Sequence, residues 1–555
     1  MSSEVGAATR PLAGAAEAPP TPRARPLPRS SAPSRWHRAQ QPAAWFAWDR
    51  QVKITAGVAT RVAYVALAVM VIASLLIASA AAAHPSFLSP TARVGYYPAW
   101  LAGPLGPLTS WHTFGTHALE GIFTWGIAAM YVAYVALLMC APRLRPAWPL
   151  GVMVLLQVIY FLSPPLPLTD IFNYLNYGRM EIVHHLNPYT TIPSLEPHTD
   201  PTFALSNWHG LESPYGPLFT LITLAVVPLG VAGSYWTMKV VLLAASLASV
   251  WLLWNAAGVL GRNRLGAALF LGLNPIVLVW GLGADHNDFL MVLVIVLAIY
   301  LLARAHSGRA AARAAHEATS GPSSAPRPNR LTAVLGRLDG AARPIVRGEP
   351  GWWWELAAGI ALAAAVALKA SAVILIPIVL AGGARRLRLS AGLVVGLAGF
   401  ALASYAAFGA NPPNLAQQDG LVIPLGLPNM TGYIIGIGGE TVGWRFGIEL
   451  CLIAAVIACT VWAWRTRDWL VPAAWVTFAL LVSLSWVLPW YLIWLLPFAA
   501  LAPTRRIRLA ALLLGVYLFL GWMPYATTFW RDFGINPSTT ITGRTDQRYL
   551  HALIN

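Results

Sequence analysis

Residues 61–83 read RVAYVALAVMVIASLLIASAAAA, an apolar stretch with one charge at its first position. As a helix rising ~1.5 Å per residue it extends about 34 Å, enough to cross the roughly 30 Å hydrocarbon layer of a bilayer. A soluble domain has little use for such a segment. The rest of the chain repeats the pattern, with apolar runs near 119–140, 147–163, 216–233, 240–260, 266–283, 288–304, 389–408, 446–464, 470–487, 490–503 and 508–527, and a double-length run over 356–381. The fold class read from these runs is an all-α polytopic membrane protein of about 12 to 14 transmembrane helices.

Composition points the same way. Of the 555 residues 57% are hydrophobic and only 10% charged, against about a quarter charged in ordinary soluble domains. The net charge of +16 does not describe a nucleic-acid binder, because the basic residues sit at the ends of apolar runs and in two segments poor in apolar residues. Cys140, Cys451 and Cys459 all lie inside apolar runs, which excludes a disulfide framework.

Residues 1–55 carry eight Lys or Arg against three acids, are rich in Pro, Ala and Ser, and read as a disordered basic cytoplasmic tail rather than a signal peptide. Residues 56–528 form the membrane domain, and 529–555 a short outer tail. Basic loops stay in the cytoplasm, which places Arg143 and Arg145, the loop 305–350, Arg385–Arg388, Arg465–Arg467 and Arg505–Arg508 inside. The poorly basic segments 84–117, 165–215 and 409–443 then fall outside.

That orientation makes two demands. Four apparent spans between Tyr215 and Arg304 return the chain to the wrong side, so one must be partial; 216–233, short and interrupted by Pro228, is the first suspect. The run 356–381 begins and ends at cytoplasmic arginines, so it must cross twice or not at all, as two short helices meeting near Lys369. A lysine there faces a polar cavity, or else snorkels to the headgroups.

Polar chemistry concentrates in the loop 165–215. It holds Asp170, Glu181, Glu196, Asp200 and Glu212 against one basic residue, Arg179, together with His184, His185, His198 and His209. An acid directly after a span, as Asp170 is, suits a base that meets a lipid-borne substrate on one side and a water-borne one on the other. Its structural alternative is a helix cap, shared with Thr169, for a short amphipathic helix over Ile171–His184. A second cluster, Asp285-His286-Asn287-Asp288, interrupts two apolar runs at a predicted outer end; Asp288 also suits a helix cap and His286 a turn. The spacing of Asp170, His286 and Asp288 matches no recognised metal-ligand pattern, and no cofactor is implied. Most Trp and Tyr side chains fit interfacial belts, with Trp208 and Tyr215 set apart by their place in the acidic loop.

The outer-loop Asp170, the strings Asn187-Pro188-Tyr189 and Ser213-Pro214-Tyr215-Gly216-Pro217, and His286-Asn287-Asp288 resemble polytopic glycosyltransferases of the GT-C fold. More narrowly, the chain resembles polyprenyl-phosphomannose-dependent α-(1→6)-mannosyltransferases that elongate the mannan of lipomannan-type glycolipids, over about residues 60–525. In the wider fold the catalytic acid follows the first span, whereas Asp170 follows the third counted here; two extra N-terminal helices account for the offset.

The resemblance implies an inverting, nucleotide-free transfer in the cell membrane, with the active site on its extracytoplasmic face. Asp170 would be the general base, and Lys369, Arg179 and His286 would face the leaving phosphate. Asp285, Asp288, Trp208 and Tyr215 complete the substrate-binding set. The partners implied are a polyprenyl-phosphate sugar donor, a glycolipid or polysaccharide acceptor and membrane lipid, with no nucleic acid. Pentosyl- or other hexosyltransferases with the same donor class remain open, as does a lipid-linked sugar transporter or flippase; a transporter predicts ions paired at mid-membrane and an internal repeat, and the sequence holds no repeat. A structural scaffold would need neither polar cluster.

Overall fold

A computed structural model describes residues 55–83, 99–105, 115–166, 170–319 and 353–554. The basic tail up to residue 54, most of the loop 305–350, parts of 84–117 and Thr169 lie outside the described residues. Among the described residues the chain is helical with no strand, as an apolar solvent demands, since a helix satisfies its own backbone hydrogen bonds.

In chain order the helices are α1 (Ala56–Ala83), α2 (Thr116–Cys140), α3 (Ala147–Leu162), α4 (Asp170–His184), α5 (Pro217–Val226), α6 (Gly230–Val259), α7 (Arg264–Gly272) and, after a π-helical turn Val277–Gly283, α8 (Asp288–Thr319). There follow α9 (Trp354–Leu368), α10 (Leu375–Gly382), α11 (Arg386–Phe408), α12 (Leu427–Ile434), α13 (Val442–Thr466), α14 (Leu470–Ser483), α15 (Leu496–Leu501), α16 (Arg505–Trp522), α17 (Ala526–Asp532) and α18 (Ile541–Ile554).

Six described helices are long and apolar enough to cross a membrane, or up to eight if each of two bent pairs is one span. The chain is an all-α polytopic membrane protein. Of the helices expected from apolar runs, the others are short, 10–17 residues each, or belong to the bent pairs. Helix-breaking sequence accounts for them: Asn274-Pro275 lies within the 58° bend after α7, and Pro524 within the 98° bend between α16 and α17.

Breaks also fall in the two runs that the expected orientation singles out, 216–233 and 356–381. Helix α5 has ten residues, ~15 Å, too short to cross. A 3₁₀ turn at Val227–Leu229 and Gly230, in the left-handed region at φ 72°, end it. Its last carbonyl, on Val226, accepts from Ser234 Oγ at 2.7 Å, so α6 starts beside it.

The run 356–381 is divided into two short helical arms. Helix α9 lies alongside α11 in the same direction, Gly392 against Leu356 and Gly396 against Ala363, and Gly383 returns to Leu389 near the start of α11. A Cβ on Gly392 would lie 2.0 Å from the Leu356 carbonyl oxygen, so glycine is required for that approach. Between the arms Lys369 is extended (φ −155°, ψ 122°), and a 3₁₀ turn, Ala370–Ile374, leads into α10.

Candidate active site

Asp170 is the first residue of α4, where backbone N–H groups lack intrahelical partners and a carboxylate is favoured. The helix is seated on α5, where a Cβ on Gly178 would be 3.0 Å from the Thr223 carbonyl oxygen. The two Pro-Tyr strings hold the far side of the loop. Ser213 N donates to Pro188 O at 2.8 Å, Tyr189 Oη to Thr220 Oγ1 at 2.8 Å, and Asn187 Nδ2 to Phe408 O at 2.9 Å. Gly216 N then reaches Leu368 O at 3.3 Å, so the loop's end rests on the turn that carries Lys369.

Around Asp170 the sequence-distant groups converge. Its Oδ2 lies 3.4 Å from His286 Nδ1, and its Oδ1 accepts from Asn173 Nδ2 at 3.5 Å; the carboxylate side chain is 14% exposed while the imidazole is fully enclosed. His286 stacks on Trp490 with ring centroids 3.5 Å apart, and Tyr174 Oη lies 3.4 Å from its Nδ1. Asp288 Oδ1 accepts from Lys369 Nζ at 2.8 Å and from Trp494 Nε1 at 2.5 Å. The Lys369 ammonium also sits over Tyr491 and Trp494, 4.4 and 4.9 Å from the ring centroids.

Lys369 has no carboxylate near it in sequence, yet Asp288, 81 positions earlier, supplies one. A narrow crevice lies beside the pair, lined by Phe219, Asn287, Met291, Leu368 and Lys369. Next to it, sharing Met291, is a narrow apolar cleft lined among others by Ile295, Leu375, Leu480, Trp494 and Phe498. His286 Nε2, Asn287 Oδ1 and Asp288 Oδ2 are buried with no hydrogen-bond partner among the described residues. Buried polar atoms left so are costly, and these three belong to consecutive residues of the turn beside Lys369.

Other predicted site residues stand elsewhere. Arg179, nine residues along α4 and ~13 Å farther on, grips Asp200 through Nε at 2.9 Å and Nη2 at 2.8 Å. It is not brought to Asp170. His184 Nε2 joins the same carboxylate at 2.8 Å. Asp285 turns away from the cluster onto Lys239, 3.5 Å off. Trp208 stays half-buried near it, its backbone N donating to Asn173 Oδ1 at 3.2 Å and its ring edge-on to Trp486. Tyr215 packs edge-on to Tyr174 at 4.9 Å, behind His286.

Trp490, Tyr491 and Trp494 were not read as site residues. They lie on a 3₁₀ turn, Pro489–Trp494, inside an apolar run, and only its proline and aromatic density set it apart. Asn173, one turn after Asp170, accepts from Asn207 N at 2.9 Å and so ties the loop's return to Asp170. No group of three or more His, Cys, Asp or Glu side chains among the described residues is gathered as a metal site.

The Arg179 network is stabilising and pH-sensitive. Burial would raise the Asp200 carboxyl, but Arg179, Thr202 and His184 hold it well below the ordinary carboxylate range. Burial pushes Glu196 up to about 7, opposed by the bond it accepts from Asn176 at 2.7 Å. From the ordinary value of 4.5 up to about 7 the folded chain keeps a proton the unfolded chain has released. Glu196's contribution is therefore full below that window and lost as pH rises through it. Glu196→Gln should flatten the fall in thermal stability across these pH values; an unchanged slope in melting scans would show that Glu196 does not cause it.

Against this geometry, residues 91–385 match the family model described as alpha-(1->6)-mannopyranosyltransferase, N-terminal domain. That stretch holds Asp170, the Asp285–Asp288 turn and Lys369. The chain belongs to this family. Alpha-(1->6)-mannopyranosyltransferase A of Mycobacterium tuberculosis (strain ATCC 25618 / H37Rv) is 27% identical over 190 residues, 33% of this chain and 37% of that protein. The match thus spans little more than a third of the relative's length. No solved structure matches.

Proposed function

We propose that the protein is an integral-membrane glycosyltransferase that moves mannose from a polyprenyl phosphate to a mannan or glycolipid acceptor, inverting the donor's β configuration to form an α-(1→6) linkage. The observation that carries this reading is the convergence of Asp170, His286 and the Asp288–Lys369 pair beside a crevice with unpartnered polar atoms. The acceptor's hydroxyl oxygen bonds to the anomeric carbon as its proton passes to Asp170. On the opposite face the carbon–phosphate oxygen bond breaks, and its electron pair leaves on the phosphate. Such a leaving group needs charge stabilisation rather than an acid, and Lys369 stands nearest to supply it. The apolar cleft beyond Met291 suits the first units of the lipid chain.

A flippase reading draws on paired ions within the bundle, and among the described residues Lys239–Asp285 and Lys369–Asp288 are such pairs. Both stand at helix ends beside the loop 165–215, Lys369 where α9 ends and Asp285 just before α8 begins, and the sequence holds no repeat. Membranes containing the chain should transfer radiolabelled mannose from a polyprenyl phosphate to an α-(1→6) oligomannoside, with the new linkage read by methylation analysis. A different linkage, or label delivered only from another sugar, would reject the reading.

We further propose that the site faces the extracytoplasmic side. The loops 165–215 and 409–443 and the C-terminal segment meet at one end: Asn414 Nδ2 donates to Glu212 at 3.0 Å and Gly210 N to Leu553 O at 2.9 Å. In a chain freed of Cys140, Cys451 and Cys459, single cysteines placed in 165–215 or 409–443 should react with an impermeant thiol reagent in intact cells, and cysteines in 305–350 should not. Labelling of 305–350 from outside would reverse the orientation and move the site with it.

A further inference from the structure

Lys239, on α6, is fully buried, and so is its partner Asp285. The ammonium donates to Ser163 O at 2.8 Å, lies 3.3 Å from Tyr235 Oη, and sits over the rings of Tyr235 and Trp236 at 5.3 and 5.6 Å. It thereby links the end of α3, the first turns of α6 and the turn before α8. Neither charge lines the crevice beside Lys369.

Asp285 has another peculiarity. It is one of three non-glycine residues in the left-handed region among the described residues, at φ 57°. A side chain there is held against a local conformational preference. The turn so formed is short: Asp285 N donates to Leu282 O at 3.2 Å and His286 N to Gly281 O at 3.0 Å. It ends the π-helical turn and sends the next three side chains toward Asp170 and Lys369. Two buried charges are an expensive way to hold a fold, because an apolar pair of similar volume serves stability as well. What a charge pair adds is a fixed place for each partner.

We propose that Lys239 and Asp285 are positioning residues for the site: by anchoring the left-handed turn to α3 and α6, the pair sets where His286 meets Asp170. The proposal rests on the reading of Asp170, with His286 beside it, as the general base of a transferase. It concerns His286 more than Asp288, since Asp288 is held independently by Lys369 and Trp494.

The test is the double variant Lys239→Met/Asp285→Asn, in which asparagine still tolerates the left-handed conformation and no charge is left buried alone. Its melting temperature should stay near that of the wild type. Its kcat for mannosyl transfer should fall about a hundredfold, the cost of an ångström-scale misplacement, while the KM for donor stays within about threefold. A cryo-EM structure of the same variant should show His286 Nδ1 displaced from Asp170 Oδ2 relative to the 3.4 Å separation. A separation unchanged within about 0.5 Å overturns the proposal whatever the rate does, and so does a wild-type kcat. If the double variant does not accumulate, Lys239→Gln takes its place, since it still donates to Ser163 but offers Asp285 no charge, and the same outcomes decide. Absence of mannosyl transfer in the wild type would sink the transferase reading alone, because the separation is measured without it.

Discussion

Asp170→Asn is expected to leave a folded, membrane-inserted protein whose mannosyl transfer is reduced by at least about a hundredfold, the low end for losing a positioned base. Asparagine keeps the side chain's shape and still accepts hydrogen bonds at the start of α4, so the helix and its seat on α5 should persist. What it loses is the ability to take a proton from the acceptor hydroxyl. With both donor and acceptor still bound, the loss should fall on kcat rather than on either KM. Glu212, the other carboxylate on the loop's returning limb, is occupied with Asn414 and offers a control. Near-wild-type transfer by Asp170→Asn, with abolition by a Glu212, Asp285 or Asp288 substitution, would mean that another carboxylate is the base.

The second large effect is expected at Lys369. Lys369→Met should weaken donor binding and slow transfer by removing the cation nearest the leaving phosphate. From sequence alone, deletion of a lone intramembrane charge would leave the protein as stable or more so. The pair with Asp288 reverses that expectation, because methionine strands a carboxylate that is 2% exposed. Loss of one partner from such a pair costs about 3 kcal/mol. Lys369→Met/Asp288→Asn should recover most of the stability and none of the donor affinity. Unchanged binding of polyprenyl phosphate by the Lys369→Met protein would remove Lys369 from the donor site.

Much of the architecture was legible because the membrane imposes simple rules on sequence. Apolar length marked the hydrophobic runs, arginine placement marked their ends, and parity required one of the four runs between Tyr215 and Arg304 to be partial and 356–381 to cross twice or not at all. The breaks at Gly230 and Lys369 are where those irregularities fall. Helix α4 was legible from the apolar residues after Asp170, and the two Pro-Tyr strings from their unusual chemistry in an outer loop.

What was not legible was pairing across distance. Nothing in a one-dimensional pattern joins Lys369 to Asp288, or Arg179 to Asp200 in place of a phosphate. Lys239 sits at the edge of an apolar run, where a lysine ordinarily reaches the headgroups, so nothing in the sequence marks it as buried. Trp490, Tyr491 and Trp494 were hidden for the opposite reason, since aromatic residues in an apolar run read as belt or core. Their contacts appear only when the 3₁₀ turn lays Trp490 on His286 and puts Tyr491 and Trp494 beneath the Lys369 ammonium.

The most direct test of the account is a structure of the protein with a non-transferable polyprenyl-phosphate mannose analogue bound. The account predicts a phosphate oxygen within hydrogen-bonding distance of Lys369 Nζ, the lipid chain entering the cleft beyond Met291, and the Asp170 carboxylate facing the anomeric carbon on the side away from the phosphate. A donor phosphate bound away from Lys369, or an anomeric carbon whose open face is turned from Asp170, would contradict it.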